Sequence, residues 1–473
     1  MRDFGVRRPV AALFCNVVGH PVGTAQSART EIQSDDRSSH SKAARRHLFL
    51  LALLICVSST SSVAETFIKS TAYAVPKETT SEGSGYFSLI EGHDGRVYIG
   101  TAKYRSNAYL VSFDPNTKEM EVVVDCQNEI GTTATGFAAQ AKIHTRNNVG
   151  ESGKIYFGTK QGYPKEGESR RDYLGGYPMV YDPEAGKTRV YDIPVKHHGI
   201  ISVTPDESRS VAYISTCDDA RPIESTHFMQ LDLKTGKYRD LLDCRHMYAF
   251  IVVDHRGRAY HPILGGDIAR FDPETDKLQR LKQTIDGKPP TEESLLAHPK
   301  SHPINWDISP DRKTLYAVAM SGNGLYAYDL TAGGDTLKGR FLGKLLADAT
   351  KTDCRAMCVS PDGTVWAGIA ATVADESRLP QKKVDAGLRL VSYTPGAKRI
   401  VDHGRVVIQN PDYTTFTDEN DEPLKWHHGV HRLDDGQLAP RYTLMAISAA
   451  RDGAVYFTTL YPFTLHVWKP GKK

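Results

Sequence analysis

One short phrase returns seven times along this chain, and no other feature restricts the fold so strongly. It reads Phe113-Asp114-Pro115-Asn116-Thr117-Lys118, Tyr181-Asp182-Pro183-Glu184-Ala185-Gly186-Lys187, Leu231-Asp232-Leu233-Lys234-Thr235-Gly236-Lys237, Phe271-Asp272-Pro273-Glu274-Thr275-Asp276-Lys277, Tyr328-Asp329-Leu330, Tyr393-Thr394-Pro395-Gly396 and Trp468-Lys469-Pro470-Gly471. In each copy a strand ends in an aromatic or Leu and enters a turn. Asp supplies a side chain that bonds its own backbone, Pro presets φ and Gly takes the left-handed position.

A second phrase alternates with the first: an apolar strand, a polar turn, then a strand carrying an aromatic. The turns lie at Asp94-Gly95, Asn147 to Gly153, Pro205-Asp206, Asp254 to Gly257, Pro310-Asp311, Asp362-Gly363 and Asp452-Gly453, and the aromatics are Tyr98, Tyr156, Tyr213, Tyr260, Tyr316, Trp366 and Tyr456. Two hairpins per period make a four-stranded antiparallel unit, which cannot bury both faces alone. Radial stacking around an axis buries them against one another, so the pattern predicts an all-β, seven-bladed β-propeller with four antiparallel strands per blade.

The last copy ends two residues after Gly471, which leaves its unit without an outermost strand. Thr66 to Pro76 (TFIKSTAYAVP) has strand character and precedes the first unit, so it is expected to complete the seventh blade, closing the ring and removing its edges. Residues 65–473 are then a single propeller domain.

Residues 1–64 read as a leader with a signal peptide. Lys42, Arg45 and Arg46 precede the apolar run Leu48 to Val57, and small residues lead to a cleavage site after Ala64. That run is shorter than the ~20 residues that cross a bilayer, so export to the periplasm or outside the cell is expected, with no membrane span. Eight of the 59 Lys/Arg and four of the 56 Asp/Glu fall in this leader, leaving 51 against 52 in the rest. A near-neutral body without a basic stripe argues against a nucleic-acid partner. Five cysteines follow the leader, Cys126, Cys217, Cys244, Cys354 and Cys358; their odd number leaves at least one thiol free, and they read as small buried hydrophobes.

Function is expected on the face where the inner strands begin, because the longest loops open there. They are Lys160 to Tyr177, Cys217 to His227 with Arg221, Ala371 to Gly387, and Asp402 to Arg441, which carries Trp426-His427-His428-Gly429-Val430-His431 and reads as a lid. Counting back from each inner hairpin turn places Gln140, His198, His246 and His302 at one height near the axial mouth, with His144, Asn305 and Arg355 one step deeper and Tyr248 beside His246. His197, Arg441 and Tyr442 lie at the rim. Imidazoles and an amide oxygen could share a divalent metal (Mn, Zn or Ca), so Gln140, His198, His246 and His302 are the expected ligands. His197, Arg221, Asn305, Trp426, His428, Arg441 and Tyr442 are the expected substrate contacts. Polar side chains also line the water-filled channels of propellers that catalyse nothing, and that reading stays open.

With its repeated phrases and its axial His cluster beside Tyr and Arg, the chain resembles the exported propellers that include oligogalacturonate lyase, ulvan lyases and, more distantly, virginiamycin B lyase. The resemblance implies β-elimination of a uronate-containing polysaccharide or oligosaccharide, without an organic cofactor. Elimination needs neutralisation of the carboxylate, a base for the neighbouring proton and a donor for the leaving oxygen. Arg355 or the metal is expected as neutraliser, His144 or a non-ligating His as base, and Tyr248 as acid. The alternatives are a non-catalytic propeller that binds a glycan or a protein, and a lactonase-type hydrolase, which would want Glu and Asp at the mouth.

Overall fold

Successive strands pair as four-stranded antiparallel meanders. The computed structural model describes residues 65 to 471 except 82–87, 219–224, 246–249, 298–303, 320–321, 348, 374–386, 419, 424–429, 442 and 460–462. Its first meander is Ser88–Glu91, Val97–Gly100, Tyr109–Phe113 and Met120–Asp125. The next has a broken inner strand, Lys142–Ile143 and Asn148–Val149, followed by Ile155–Lys160, Pro178–Asp182 and Lys187–Val190. Gly199–Asp206, Val211–Cys217, Ser225–Asp232 and Tyr238–Arg245 form the third. Further meanders run over 252–285, 304–344 and 349–408, and the last comprises Thr443–Ala449, Val455–Thr459 and Thr464–Trp468. The fold is all-β and of the propeller type.

The two repeated phrases have separate jobs. Asp114, Asp182, Asp232 and Asp272 each accept a backbone N–H two residues on, at 2.7 to 3.1 Å, so the outer turns are Asx turns. Backbone N–H donors hold the carboxyls of Asp114, Asp182 and Asp232 below their usual range, chiefly that of Asn116 for Asp114, Ala185 for Asp182 and Thr235 for Asp232. In the inner hairpins Gly95, Gly363 and Gly453 take φ of 80°, 85° and 83°, which a side chain would strain. The second-strand aromatics are buried between meanders, and their hydroxyls pair with the turns: Tyr98 to Asp94 at 2.7 Å, Tyr260 to Asp254 at 2.9 Å.

Phe67–Ala74 supplies the strand that the last meander lacks. Its second half pairs antiparallel with Thr464–Trp468, Thr71 opposite Val467 and Ala74 opposite Thr464. Its first half adds a parallel ladder to Arg399–Ile408, Phe67 opposite Arg405 and Ser70 opposite Ile408. One strand therefore stitches two neighbouring meanders. A second parallel stitch, Lys282–Ile285 to Thr336–Gly339, joins the outer strands of the 252–285 and 304–344 meanders.

In the described part of 402–441 the hairpin Val430–Arg432 and Leu438–Pro440 extends Arg399–Ile408 through Ile408 and Leu438, and Tyr413 packs with Ala72, Ile408 and Val430. These apolar residues cover the stitched seam, where Ala72 and Ile408 would otherwise face water. Trp426 and His428 lie outside the described residues. Of the five cysteines after the leader, Cys126, Cys217, Cys354 and Cys358 are buried and Cys244 partly so, and burial pushes the Cys244 and Cys358 thiols up to about 12.

Candidate functional site

Polar side chains collect where the inner strands of the first three meanders begin. Lys142 and Lys160 are direct cross-strand partners, 1% and 0% exposed, so their stems rise side by side about 5 Å apart. The Lys142 ammonium lies over two rings, 5.2 Å from the Tyr104 centroid and 4.9 Å from that of Tyr163. Those rings meet edge to face at 5.7 Å, which presents a negative face to the cation.

The 161–177 loop is fixed over this pair from three directions. Gln140 Oε1 accepts from Thr159 Oγ1 at 2.7 Å and from the Tyr173 hydroxyl at 3.0 Å, while its Nε2 donates to the Gly175 carbonyl at 2.9 Å. His197, at φ 67°, donates from Nδ1 to the Tyr173 carbonyl at 2.7 Å. Arg105 grips Glu168 with both terminal nitrogens, 2.8 and 2.6 Å, and Glu168 also accepts from the Lys165 and Phe137 amides. The guanidinium, first among these donors, holds the Glu168 carboxyl down to about 2.

His198 faces the lysines from the third meander. Its Nδ1 lies 3.0 Å from Thr216 Oγ1 and its Nε2 3.4 Å from Ser225 Oγ. Thr216 Oγ1 also accepts the His227 amide, and His227 Nδ1 bonds Asp240 at 2.7 Å. Burial, with His227 and Lys160 adding repulsion, pushes the His198 imidazolium down to about 4 despite the nearby Asp218. At neutral pH the ring is therefore uncharged, and the one ring nitrogen that carries no hydrogen can accept a proton.

The expected ligand and catalytic sets are placed as follows. Gln140 and His198 are both buried at this mouth, but both lone pairs of the Gln140 oxygen are taken by hydroxyls, so the amide holds the loop instead of a metal. His246 and His302, the other expected ligands, lie outside the described residues, as do Tyr248, Arg221 and Tyr442. Among the described residues no three His, Cys, Asp or Glu side chains gather as a metal site. His144 is buried on the inner strand of the second meander. Asn305 donates to the Cys354 carbonyl at 2.6 Å. Arg355 pairs with Asp353, whose Oδ2 is 2.7 Å from both its Nε and a terminal nitrogen. Arg441 follows the strand Leu438–Pro440 as the chain enters Thr443–Ala449.

A residue the sequence did not single out holds the axis. Arg146, two after His144, donates to the carbonyls of Trp306, at 3.1 Å, and Met357, pairs with Asp307 at 3.1 Å and lies over the Phe250 ring at 5.3 Å. Asp307 accepts in turn from the Val359 amide at 2.8 Å. One guanidinium thus ties the inner strands of the 304–344 and 349–408 meanders and packs on the ring of Phe250, just before Val252–Val253. On the side where the inner strands end, a cavity of about 280 Å³ abuts it, lined by Asn148, Asp307, Ser360 and Ser448 among others. In sequence Arg146 only precedes the polar turn Asn147 to Gly153; the break between Ile143 and Asn148 turns it inward.

No family model matches the chain, and no curated protein matches its sequence. Among solved structures it is similar to the β-propeller domain of Cps50 (Swd1) from Myceliophteria thermophila, at 9% identity over 85% of this chain and 100% of that one, with a TM-score of 0.47. It is also similar to the periplasmic gluconolactonase PpgL of Pseudomonas aeruginosa, at 13% identity over 79% and 96%, TM-score 0.42. The gluconolactonase XC5397 of Xanthomonas campestris follows at 11% identity over 87% and 93%, TM-score 0.37. Likenesses this distant carry no statement about activity, and the propeller-type fold described above rests on strand pairing alone.

Proposed function

We propose that the chain is an exported, seven-bladed β-propeller that binds an acidic carbohydrate at this mouth and cleaves it by β-elimination beside a uronate carboxylate. The observation that carries the reading is the cross-strand pair Lys142 and Lys160, two cations held together away from bulk water, where a carboxylate gains far more from each than it would at the surface. Docking that carboxylate draws electron density from the adjacent carbon and acidifies its proton. His198 takes the proton; the C–H pair becomes a double bond to the neighbouring carbon, and the glycosidic oxygen leaves with a proton from a Tyr. Tyr248 is the donor expected from the sequence, and Tyr163 is a phenol that stands beside Lys142. The docked carboxylate also raises the affinity of His198 for its proton, which offsets its low starting value.

Arg355 would serve as a second neutraliser from across the mouth. A divalent ion shared by His198, His246 and His302 would occupy the proposed base and leave the role to His144, so metal analysis of the purified protein belongs in the same experiment. That experiment offers uronate polymers and follows the ultraviolet absorbance of the unsaturated product. Lys160→Met is expected to lower kcat/KM about 100-fold or more with the fold intact. Wild-type turnover by that variant sinks the reading; uronate binding without any turnover leaves the binding propeller. The exported form should begin at Glu65, and a mature chain retaining Leu48 to Val57 overturns the export.

A further inference from the structure

Next to the lysine pair lies an acceptor without a donor. Gln161 follows Lys160 at the end of its strand and is 1% exposed, yet its Oε1 has no hydrogen-bond partner among the described residues. The atom sits beside the backbone of Gly199, the residue after His198: a Cβ on Gly199 would meet Gln161 Oε1 at 2.7 Å and the Lys160 stem closer still. Lys160, Gln161 and the His198–Gly199 backbone therefore converge on one spot, and only glycine at 199 leaves room for them. A buried carbonyl oxygen left unpaired destabilises the free protein.

We infer that Gln161 reads a hydroxyl of the ligand, so that the site takes a hydroxycarboxylate: a carboxylate on Lys142 and Lys160, with a neighbouring hydroxyl donating to Gln161 Oε1. The inference rests on the proposed anion site and names the side chain by which that site tells a sugar acid from a plain carboxylate. An acceptor reads a donor in one direction only. A ligand that puts a methylene where the hydroxyl belongs leaves Oε1 unpaired and gains nothing from the site beyond its charge.

The test measures binding of D-galacturonate and of cyclohexanecarboxylate to the full chain by calorimetry. The wild type is expected to prefer galacturonate at least about tenfold. Gln161→Leu should cut that preference below about threefold by weakening galacturonate alone, and its melting temperature should hold or rise as the unpaired oxygen is lost. Gln161→Met provides the same readout if the Leu variant folds poorly. A tenfold preference that survives in the variants overturns the role of Gln161, as does a wild type that binds both carboxylates equally; in either case the lysine site stands. A wild type that binds neither overturns the anion site and this inference together.

Discussion

Three histidines show how burial sets chemistry one residue at a time. His198, His261 and His466 are buried, and each keeps hydroxyl partners: His261 Nε2 lies 2.8 Å from Ser215 Oγ, and His466 bonds Ser70 at 3.0 Å and Thr459 at 2.9 Å. Desolvation, the largest cause in each case, pushes them down to about 4, 4 and 3. All three are neutral in folded and unfolded chains above the ordinary value of about 6.5 and contribute no pH dependence there. Below it the unfolded chain takes up protons that the folded chain refuses, so stability must fall as the pH drops from about 6.5 towards 4. Glu168, held near 2 by Arg105, loses its contribution only below about 4.5, so the two windows separate. Denaturant melts across pH 4 to 7 should show the His-dependent slope, and His261→Gln should flatten it by about one proton; a flat profile in the wild type contradicts the burial account.

Among elements, the closing strand carries the most consequence per residue. Phe67–Ala74 reaches Arg399–Ile408 only because Gly404 bulges with φ 112°, and a Cβ there would be driven into the Thr66 carbonyl oxygen. The Arg405 amide donates to that same oxygen at 2.8 Å. Gly404→Ala therefore combines left-handed strain with a backbone clash and should cost about 2 kcal/mol or more, read as a lower urea midpoint with an unchanged m-value. Gly396, which has open space around it, is the control: Gly396→Ala should shift the midpoint by no more than about 0.5 kcal/mol. Equal effects at the two positions would show that the stitch does not limit stability.

For the whole molecule the decisive contact is Arg146. Its side chain is 13% exposed and faces Asp307, itself 22% exposed. Truncation leaves a half-buried carboxylate and two carbonyls without their cation, and it releases the inner strands of the 304–344 and 349–408 meanders from that of the second. Arg146→Ala should cost about 3 kcal/mol in global stability. Arg146→Lys should recover little, since a point charge cannot reach two carbonyls and a carboxylate in one plane. Hydrogen exchange would locate the loss at Trp306 to Val359; loss confined to 142–149 would show that the guanidinium is not a cross-axis tie.

The repeats, the missing outer strand and its supply by Thr66 to Pro76 were legible in the sequence, because turn chemistry and alternation are local and recur with each meander. The face bearing the polar cluster was legible too, since loop length marks it. What the sequence left undecided is which side chains converge. Gln140 and His198 share a height by residue counting, yet Gln140 turns to Thr159, Tyr173 and Gly175. In sequence Lys142 carries no signal and Lys160 only starts a loop, whereas strand pairing makes them buried neighbours. Arg146, unremarked just before the turn Asn147 to Gly153, holds the axis. A break of a few residues in one inner strand rotates every side chain beyond it, and only strands brought together around an axis determine what each of them then meets.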